Sequence, residues 1–427
     1  MGNWRASLIV LLCIVALLFL SLGTPMRTEA ASDEGSGDAC VSDEVVVELV
    51  PGADLAALAR QYALDPKPVD QFGAQPIYRL RILDGAAPKD KAAALKADSL
   101  GRVVYAEPNY IEQAPEGRAR VLWASGEDAG LYVNQWAPTM IRLPEAHTIT
   151  RGAGVKIAVL DTGVDTNHPA LVGRLVAGYD FVDQDSDPSE RGVYGVNRGF
   201  GHGTHVAGLV ALAAPEAKIM PVRVLDANGI GNQWVLVKAL AYAVDPDGDP
   251  ATPDGADVIN LSISSLSRSR CLRDVIRAVT CTESDHSSYD LPCLGRGAIV
   301  VAAAGNNASS TPEYPAGDGT DGTVSVGAST SSDATAAFSN FGSWVRVAAP
   351  GEGILSTVPG GGFGTWSGTS MAAPLVAGEA ALVRAVYPWL STSEVAKRII
   401  ETGAETDGEV RYRIDAAAAV GLAGARR

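Results

Sequence analysis

Two spacing patterns divide the chain. Between residues 44 and 106, short apolar runs alternate with helical spacing. Glu44 to Val50 reads as a strand stopped by Pro51-Gly52, and Asp54 caps a helix through Tyr62 with Leu55, Leu58 and Ala59 on one side. Tyr78 to Leu83 alternates like a strand, Lys89 to Ala97 reads as a helix, and Arg102 to Ala106 as a strand. That series predicts a small α+β unit, an open sheet with helices on one face. From about Leu131 the apolar runs lengthen. Strands are expected at Lys156–Leu160, Lys218–Val224, Val258–Ser262, Ala298–Ala303 and Thr323–Val326. Helices are expected at Thr204–Leu212, Val235–Val244, Arg270–Thr280, Met371–Tyr387 and Ser393–Thr402. Strands apolar on both faces, alternating with helices, predict a doubly wound, mainly parallel α/β sheet covered on both sides. Function in such sheets collects at the carboxyl ends of the strands.

The start of the chain follows a different logic. Arg5, the apolar run Leu8 to Leu22, Pro25 and then Thr28-Glu29-Ala30 predict a cleaved signal peptide over residues 1–30. As a helix that run spans about 22 Å, short of a hydrocarbon core of about 30 Å, so no stable membrane span is expected. The protein is therefore placed outside the cytoplasm, secreted or periplasmic. Residues 31 to 42 read as a flexible lead-in, about 40–113 as the small unit, 114–130 as a linker and 131–427 as one large domain. An apolar content of 47% supports a large core, and a net charge of −15 excludes nucleic acid or an anionic membrane as the main partner. Cys13 leaves with the signal. Cys281 and Cys293 bracket the polar loop Thr282 to Pro292 and are expected to pair; pairing of Cys271 with Cys281 is the alternative, and Cys40 is left unassigned.

Three short stretches at the edges of these elements carry chemistry. Asp161-Thr162-Gly163 follows a strand; Gly201-His202-Gly203-Thr204-His205 opens a helix; Gly368-Thr369-Ser370-Met371-Ala372-Ala373-Pro374 opens another after a glycine-rich run. Hydroxyl attack on an amide needs a base beside the hydroxyl and a carboxylate that orients the base. Asp161, His202 and Ser370 can meet at one sheet edge in those roles. Ala302-Ala303-Ala304-Gly305-Asn306 ends an apolar strand in an amide. Asn306 and the Ser370 backbone N–H would form a two-donor oxyanion hole.

These blocks, in the order Asp, His, Ser with Asn306 between, resemble the signatures of the subtilisin-like serine proteases, the subtilases. The resemblance runs from about Asn134 to the C-terminus, and Tyr105-Ala106-Glu107-Pro108-Asn109-Tyr110 is similar to the close of a subtilase inhibitory propeptide. It implies a subtilisin-like fold with a small ferredoxin-like pro-domain, and a secreted serine endopeptidase matured from a zymogen by its own cleavage. The partners implied are protein or peptide substrates and the pro-domain as inhibitor, with the enzyme a monomer. The resemblance also implies that Gly229 and Gly231 lie on an edge strand that pairs with bound peptide. Leu261, Ser262, Ile263, Ser264, Ala304 and Gly305 would line the specificity pocket, with Ser264 crowding a wall where many relatives carry Gly. In His168-Pro169-Ala170, Ala170 stands where calcium-binding relatives carry Asp, so no metal and no cofactor are expected there.

Competing readings are weaker. An aspartic protease needs two paired carboxylates, and Asp161-Thr162-Gly163 occurs once. His202 and His205 are spaced like zinc ligands but lack the intervening Glu and a clear third ligand. Gly360 to Gly364 has no following Gly-Lys-Ser/Thr, so it reads as turns rather than a phosphate loop. A catalytically inactive binding module of the same fold is the rival from another class, and a non-proteolytic acyl transferase is a second.

Overall fold

The computed structural model describes residues 39–118, 125–127, 129–249, 251–282 and 291–422. The predicted signal peptide, most of the lead-in, part of the linker and the loop containing His286 lie outside them.

The small unit holds strand β1 (Cys40–Leu49), helix α1 (Leu55–Gln61), β2 (Ile77–Arg81), α2 (Pro88–Lys96) and β3 (Val103–Gln113). Asp54 caps α1 by accepting from the Ala57 N–H. β1 pairs antiparallel with both β2 and β3. Its alternating residues have two destinations. Val45, Val47 and Leu49 pack under the unit's own helices with Leu58 and Leu95, whereas Val46, Ile77 and Tyr105 join a core shared with the large domain. The sheet's second face mixes these apolar residues with Glu107 and Asn109, and the large domain covers it.

The large domain contains β4 (Lys156–Asp161), α3 (His202–Ala213), β5 (Lys218–Arg223), β6 (Ile230–Asn232), α4 (Gln233–Val244), β7 (Val258–Leu261) and α5 (Arg270–Thr280). Then come β8 (Ile299–Ala303), β9 (Thr323–Ser329), β10 (Val347–Pro350), the hairpin β11 (Ile354–Val358) with β12 (Gly362–Trp366), α6 (Thr369–Val386) and α7 (Thr392–Thr402). Its nine-stranded sheet runs β10-β9-β8-β7-β4-β5 through the centre, all parallel, with two-residue strands at either edge. Residue alternation separates its two faces. Ile157 and Val159 pack with α3, α6 and α7, while Ala158 and Leu160 pack with α4 and α5. This is the doubly wound, mainly parallel α/β sheet that the sequence predicts. Strand order reverses beside β4, and the carboxyl ends of β4 and β7 flank that switch point, where such sheets open a crevice.

One sequence expectation is corrected. β3 does not stop at Ala106 but continues to Gln113: Glu107, Pro108 and Tyr110 still pair with β1, and Ile111, Glu112 and Gln113 pair with β6 of the large domain. The turns read at Gly360 to Gly364 are those of the β11–β12 hairpin, with Gly360 and Gly361 at positive φ. Pro374 lies inside α6.

Candidate active site

Asp161 is the last residue of β4, so its carboxylate emerges at the crevice. It accepts hydrogen bonds from the Thr162 N–H at 2.7 Å and from His202 Nδ1 at 2.7 Å. His202 opens α3 because Gly201, at φ 93°, turns the chain in the left-handed region that favours glycine. The two elements lie so close that a Cβ on Gly203 would fall 2.1 Å from the Gly163 carbonyl oxygen. The imidazole packs edge-on against Trp366, with 5.5 Å between centroids. Asp161, His202 and Ser370 are all fully buried.

Ser370 sits in the first turn of α6. Pro374, four residues on, has no N–H to give the Ser370 carbonyl, and the Ser262 hydroxyl donates to that carbonyl instead, at 3.0 Å. Thus a helix defect ties the serine to the β7 extension. Asn306 is oriented by the neighbouring Thr369. Its Oδ1 accepts from the Thr369 N–H at 2.9 Å and the Thr369 hydroxyl at 3.0 Å, which leaves Nδ2 facing the crevice.

The groups converge on a residue that motif reading did not single out. Glu116 Oε2 accepts from the Ser370 hydroxyl at 2.7 Å and lies 2.9 Å from His202 Nε2, while Oε1 accepts from Asn306 Nδ2 at 2.8 Å. A Cβ on Gly368 would overlap that carboxylate, 1.8 Å from Oε1, so this glycine provides the space. Burial would depress the His202 pKa, but Asp161 and Glu116 on either side outweigh it and hold it well above the usual histidine value. Burial likewise pushes the Glu116 carboxyl up, yet the His202, Ser370 and Asn306 donors bring it below its ordinary value. The pair is held as imidazolium and carboxylate.

A second carboxylate stands behind the first. Glu190 accepts from the Thr204 N–H at 3.1 Å and the Thr204 hydroxyl at 2.8 Å, clamping the first turn of α3. Burial pushes its pKa up to about 7, against hydrogen bonds from Thr162 and Thr204 and with Asp161 adding to the rise. The sequence offered no signal for it, since it lies in a loop without periodicity.

The chain leading to Glu116 lies in the cleft as an added strand. Beyond the β3–β6 pairs, Gln113 exchanges hydrogen bonds with Ser264 at 2.9 and 3.2 Å, and the Ala114 N–H donates to the Gly229 carbonyl at 2.9 Å; Gly231 pairs with Glu112. Ser262 and Ser264 flank this path, as do Ala304 and Gly305 before Asn306. Leu261 and Ile263 alternate with the two serines and are buried in the cluster that also holds Ala114.

The remaining candidates find ordinary roles. His205 Nε2 donates to the carbonyls of Ile354 and Gly364, and burial lowers its pKa to about 3. A nitrogen committed to two carbonyls is not a zinc ligand. His168 Nε2 donates to the Gly362 carbonyl, and Ala170 packs against the cluster of Tyr132, Leu355 and Phe363. Cys281 and Cys293 are disulfide-bonded, and Cys271 is buried as a thiol whose pKa burial raises. Among the described residues, no helix is long and apolar enough to cross a membrane.

Comparison with known proteins agrees with this geometry. The subtilase family model matches residues 152–416. The chain is 33% identical over 430 residues to a thermophilic serine proteinase of Bacillus sp. (strain AK1), spanning 93% of this chain and 96% of the relative. It is 36% identical to thermitase of Thermoactinomyces vulgaris over 65% of this chain and 91% of that one. Among solved structures, a protease of Pseudoalteromonas arctica superposes with a TM-score of 0.57 at 30% identity, covering 68% of this chain and 96% of the other. A cold-adapted subtilisin-like serine proteinase gives a TM-score of 0.52 at 32% identity, covering 62% and 89%. A sheet edge that gathers carboxylate, imidazole, hydroxyl and amide, a family model matched over more than half of the chain and a serine proteinase aligned along 93% of it lead to one assignment: the chain belongs to the subtilase family and is a serine endopeptidase of the subtilisin type.

Proposed function

We propose that the protein is a secreted endopeptidase made as a zymogen, with residues 1–30 as export signal, 40–113 as inhibitory and folding pro-domain, 114–130 as the processed linker and 131–427 as catalytic domain. Ser370 Oγ attacks the peptide carbonyl while His202 takes its proton, and Asp161 orients the imidazole and stabilises its charged form. Asn306 Nδ2 and the Ser370 N–H hold the oxyanion; water then releases the acyl group. The observation that carries this reading is the Glu116 carboxylate, with one oxygen at Ser370 and His202 and the other at Asn306. That is how the acid product of acyl transfer would sit. A serine-directed fluorophosphonate should modify Ser370 in the processed enzyme, and the enzyme should hydrolyse casein. An unlabelled Ser370 in a folded, processed protein would instead favour an inactive binding module.

Two contacts support an inhibitory pro-domain. Glu107 accepts from Gln233 Nε2, the Ser269 hydroxyl, and the N–H groups of Arg270 and Cys271 at 2.6 to 3.1 Å, so its charge caps α5. Asn109 Oδ1 accepts from the Trp234 N–H in the first turn of α4 at 3.1 Å. Glu107→Ala is expected to weaken inhibition by the separately added pro-domain by roughly tens of fold, measured as Ki. Inhibition by a pro-peptide that extends through Glu116 should also depend on pH. The raised His202 pKa makes the contact strongest below the ordinary histidine value and weaker as pH climbs through the raised one. The lowered Glu116 pKa removes it only when pH falls below the usual carboxylate range. Ki is therefore expected to be lowest in mildly acidic buffer and to rise in alkali.

In the free enzyme, ionised Glu190 adds negative charge near Asp161 and His202 and favours the imidazolium. Glu190→Gln should shift the acid limb of the kcat/KM profile to lower pH; an unmoved limb would show that Glu190 serves only to clamp α3.

Support for the absence of calcium at residues 168–170 is the packing of Ala170 in an apolar cluster, with no carboxylate supplied. Export, self-processing and a monomeric state belong to the same reading.

A further inference from the structure

The segment that forms the peptide-pairing edge also starts a helix. β6 pairs with Ile111, Glu112 and Gln113, and the next residue, Gln233, opens α4 with Asn232 as its cap. The first turn of α5, capped by Ser269, lies beside it. β3 runs unbroken from Val103 to Gln113, so a chain held on β6 carries its upstream residues to these two helix starts.

Glu107, six residues before Gln113 on the same strand, shows what the helix starts hold. Its Oε1 accepts from Gln233 Nε2 at 2.6 Å, the Ser269 hydroxyl at 2.8 Å and the Cys271 N–H at 3.1 Å, and its Oε2 from the Arg270 N–H at 2.9 Å. All four donors belong to the large domain, and Gln233 and Ser269 are buried along with Glu107, which is 5% exposed. Ser269 Oγ already accepts from the Leu272 N–H at 2.9 Å, which leaves its proton for the carboxylate. Two of the donors are the free N–H groups of a helix start, where the aligned backbone dipoles favour negative charge.

We infer that the first turns of α4 and α5 are a subsite of the mature enzyme for an acidic residue of a protein substrate, six positions before the residue that pairs with Ser264. The inference rests on catalysis at Ser370 and on the release of residues 40–113 proposed above, which withdraws Glu107 and turns its donors to solvent. A substrate strand laid along β6 then brings its own side chain to the same place. A carboxylate there regains charge-assisted hydrogen bonds, a neutral side chain gains less, and a lysine meets donors only. Ordering the upstream residues of the substrate offsets part of the gain, so the effect is confined to chains that bind extended.

The test measures kcat/KM of the processed enzyme on peptide nitroanilides that carry residues 105–114 of this chain ahead of a common Leu, with Glu, Gln, Ala or Lys at the place of Glu107. Pro108 biases that residue to extended backbone in the free peptide. The Glu peptide should exceed the Gln and Ala peptides by about three- to tenfold, mainly through KM, and the Lys peptide should be the poorest. In processed Gln233→Ala and Ser269→Ala the ratio of Glu to Ala peptide should fall toward one. The wild-type series alone overturns the inference if Gln or Ala serves as well as Glu, and a ratio unmoved in both variants does the same. Fluorophosphonate labelling and intact mass separate the levels. No label and no hydrolysis sinks catalysis at Ser370 and the subsite with it, and an active enzyme that still holds residues 40–113 sinks the release on which the subsite depends. Full label with equal rates for the four peptides sinks the subsite alone.

Discussion

Ser370→Ala is expected to lower kcat on casein or a peptide ester by about a million-fold and to leave the chain uncut with its pro-domain attached. The magnitude follows from the shared work of the three groups: without the hydroxyl, the Asp161–His202 pair has no nucleophile to activate, and losses of this size follow removal of the serine in subtilisin. A residual rate of roughly 10³–10⁴ over water would come from the oxyanion donors and binding. The fold should be little affected. The hydroxyl's described hydrogen bond goes to Glu116 at 2.7 Å, and its removal costs on the order of 1–3 kcal/mol within a domain whose core lies elsewhere. Intact mass and thermal melting measure both parts. Should the purified variant be cut between residues 113 and 131 just as wild type is, processing is not the enzyme's own act.

Asn306→Ala should lower kcat by about 10²–10³-fold and leave KM nearly unchanged, because the amide meets the oxygen most strongly when that oxygen carries charge. Its aim is set in advance. Thr369 occupies the amide oxygen with two donors, so Nδ2 is turned toward the crevice before substrate arrives. The same substitution removes a donor from Glu116 Oε1 and should loosen the uncut linker's hold on the cleft in parallel. Single-turnover acylation with an ester substrate gives the kcat term directly. A raised KM with unchanged kcat would mean that Asn306 binds the ground state and stabilises no oxyanion.

Much of this protein was legible from residue order alone. β4, β5, β7, β8 and β9 are apolar on both faces, so the parallel sheet and its covering helices could be read without coordinates. Asp161, His202, Asn306 and Ser370 stand beside glycines or helix starts whose local rules are strong. Other features were hidden, each for a physical reason. β3 appeared too short because its end is held by distant partners: its last three residues pair with β6, more than one hundred residues away in the chain.

Glu116 and Glu190 are the sharper cases. In sequence each is one acidic residue among 49 Asp and Glu, in a linker or loop without periodicity. Local propensities follow from a residue and its near neighbours, and so the chain by itself determined the strands, the helices, the signature blocks and the family. Which carboxylate reaches the serine and which one clamps the histidine's helix were decided only by tertiary structure. Burial and donor geometry come from segments brought together by folding, and a carboxylate's role is set by the partners that replace its lost water.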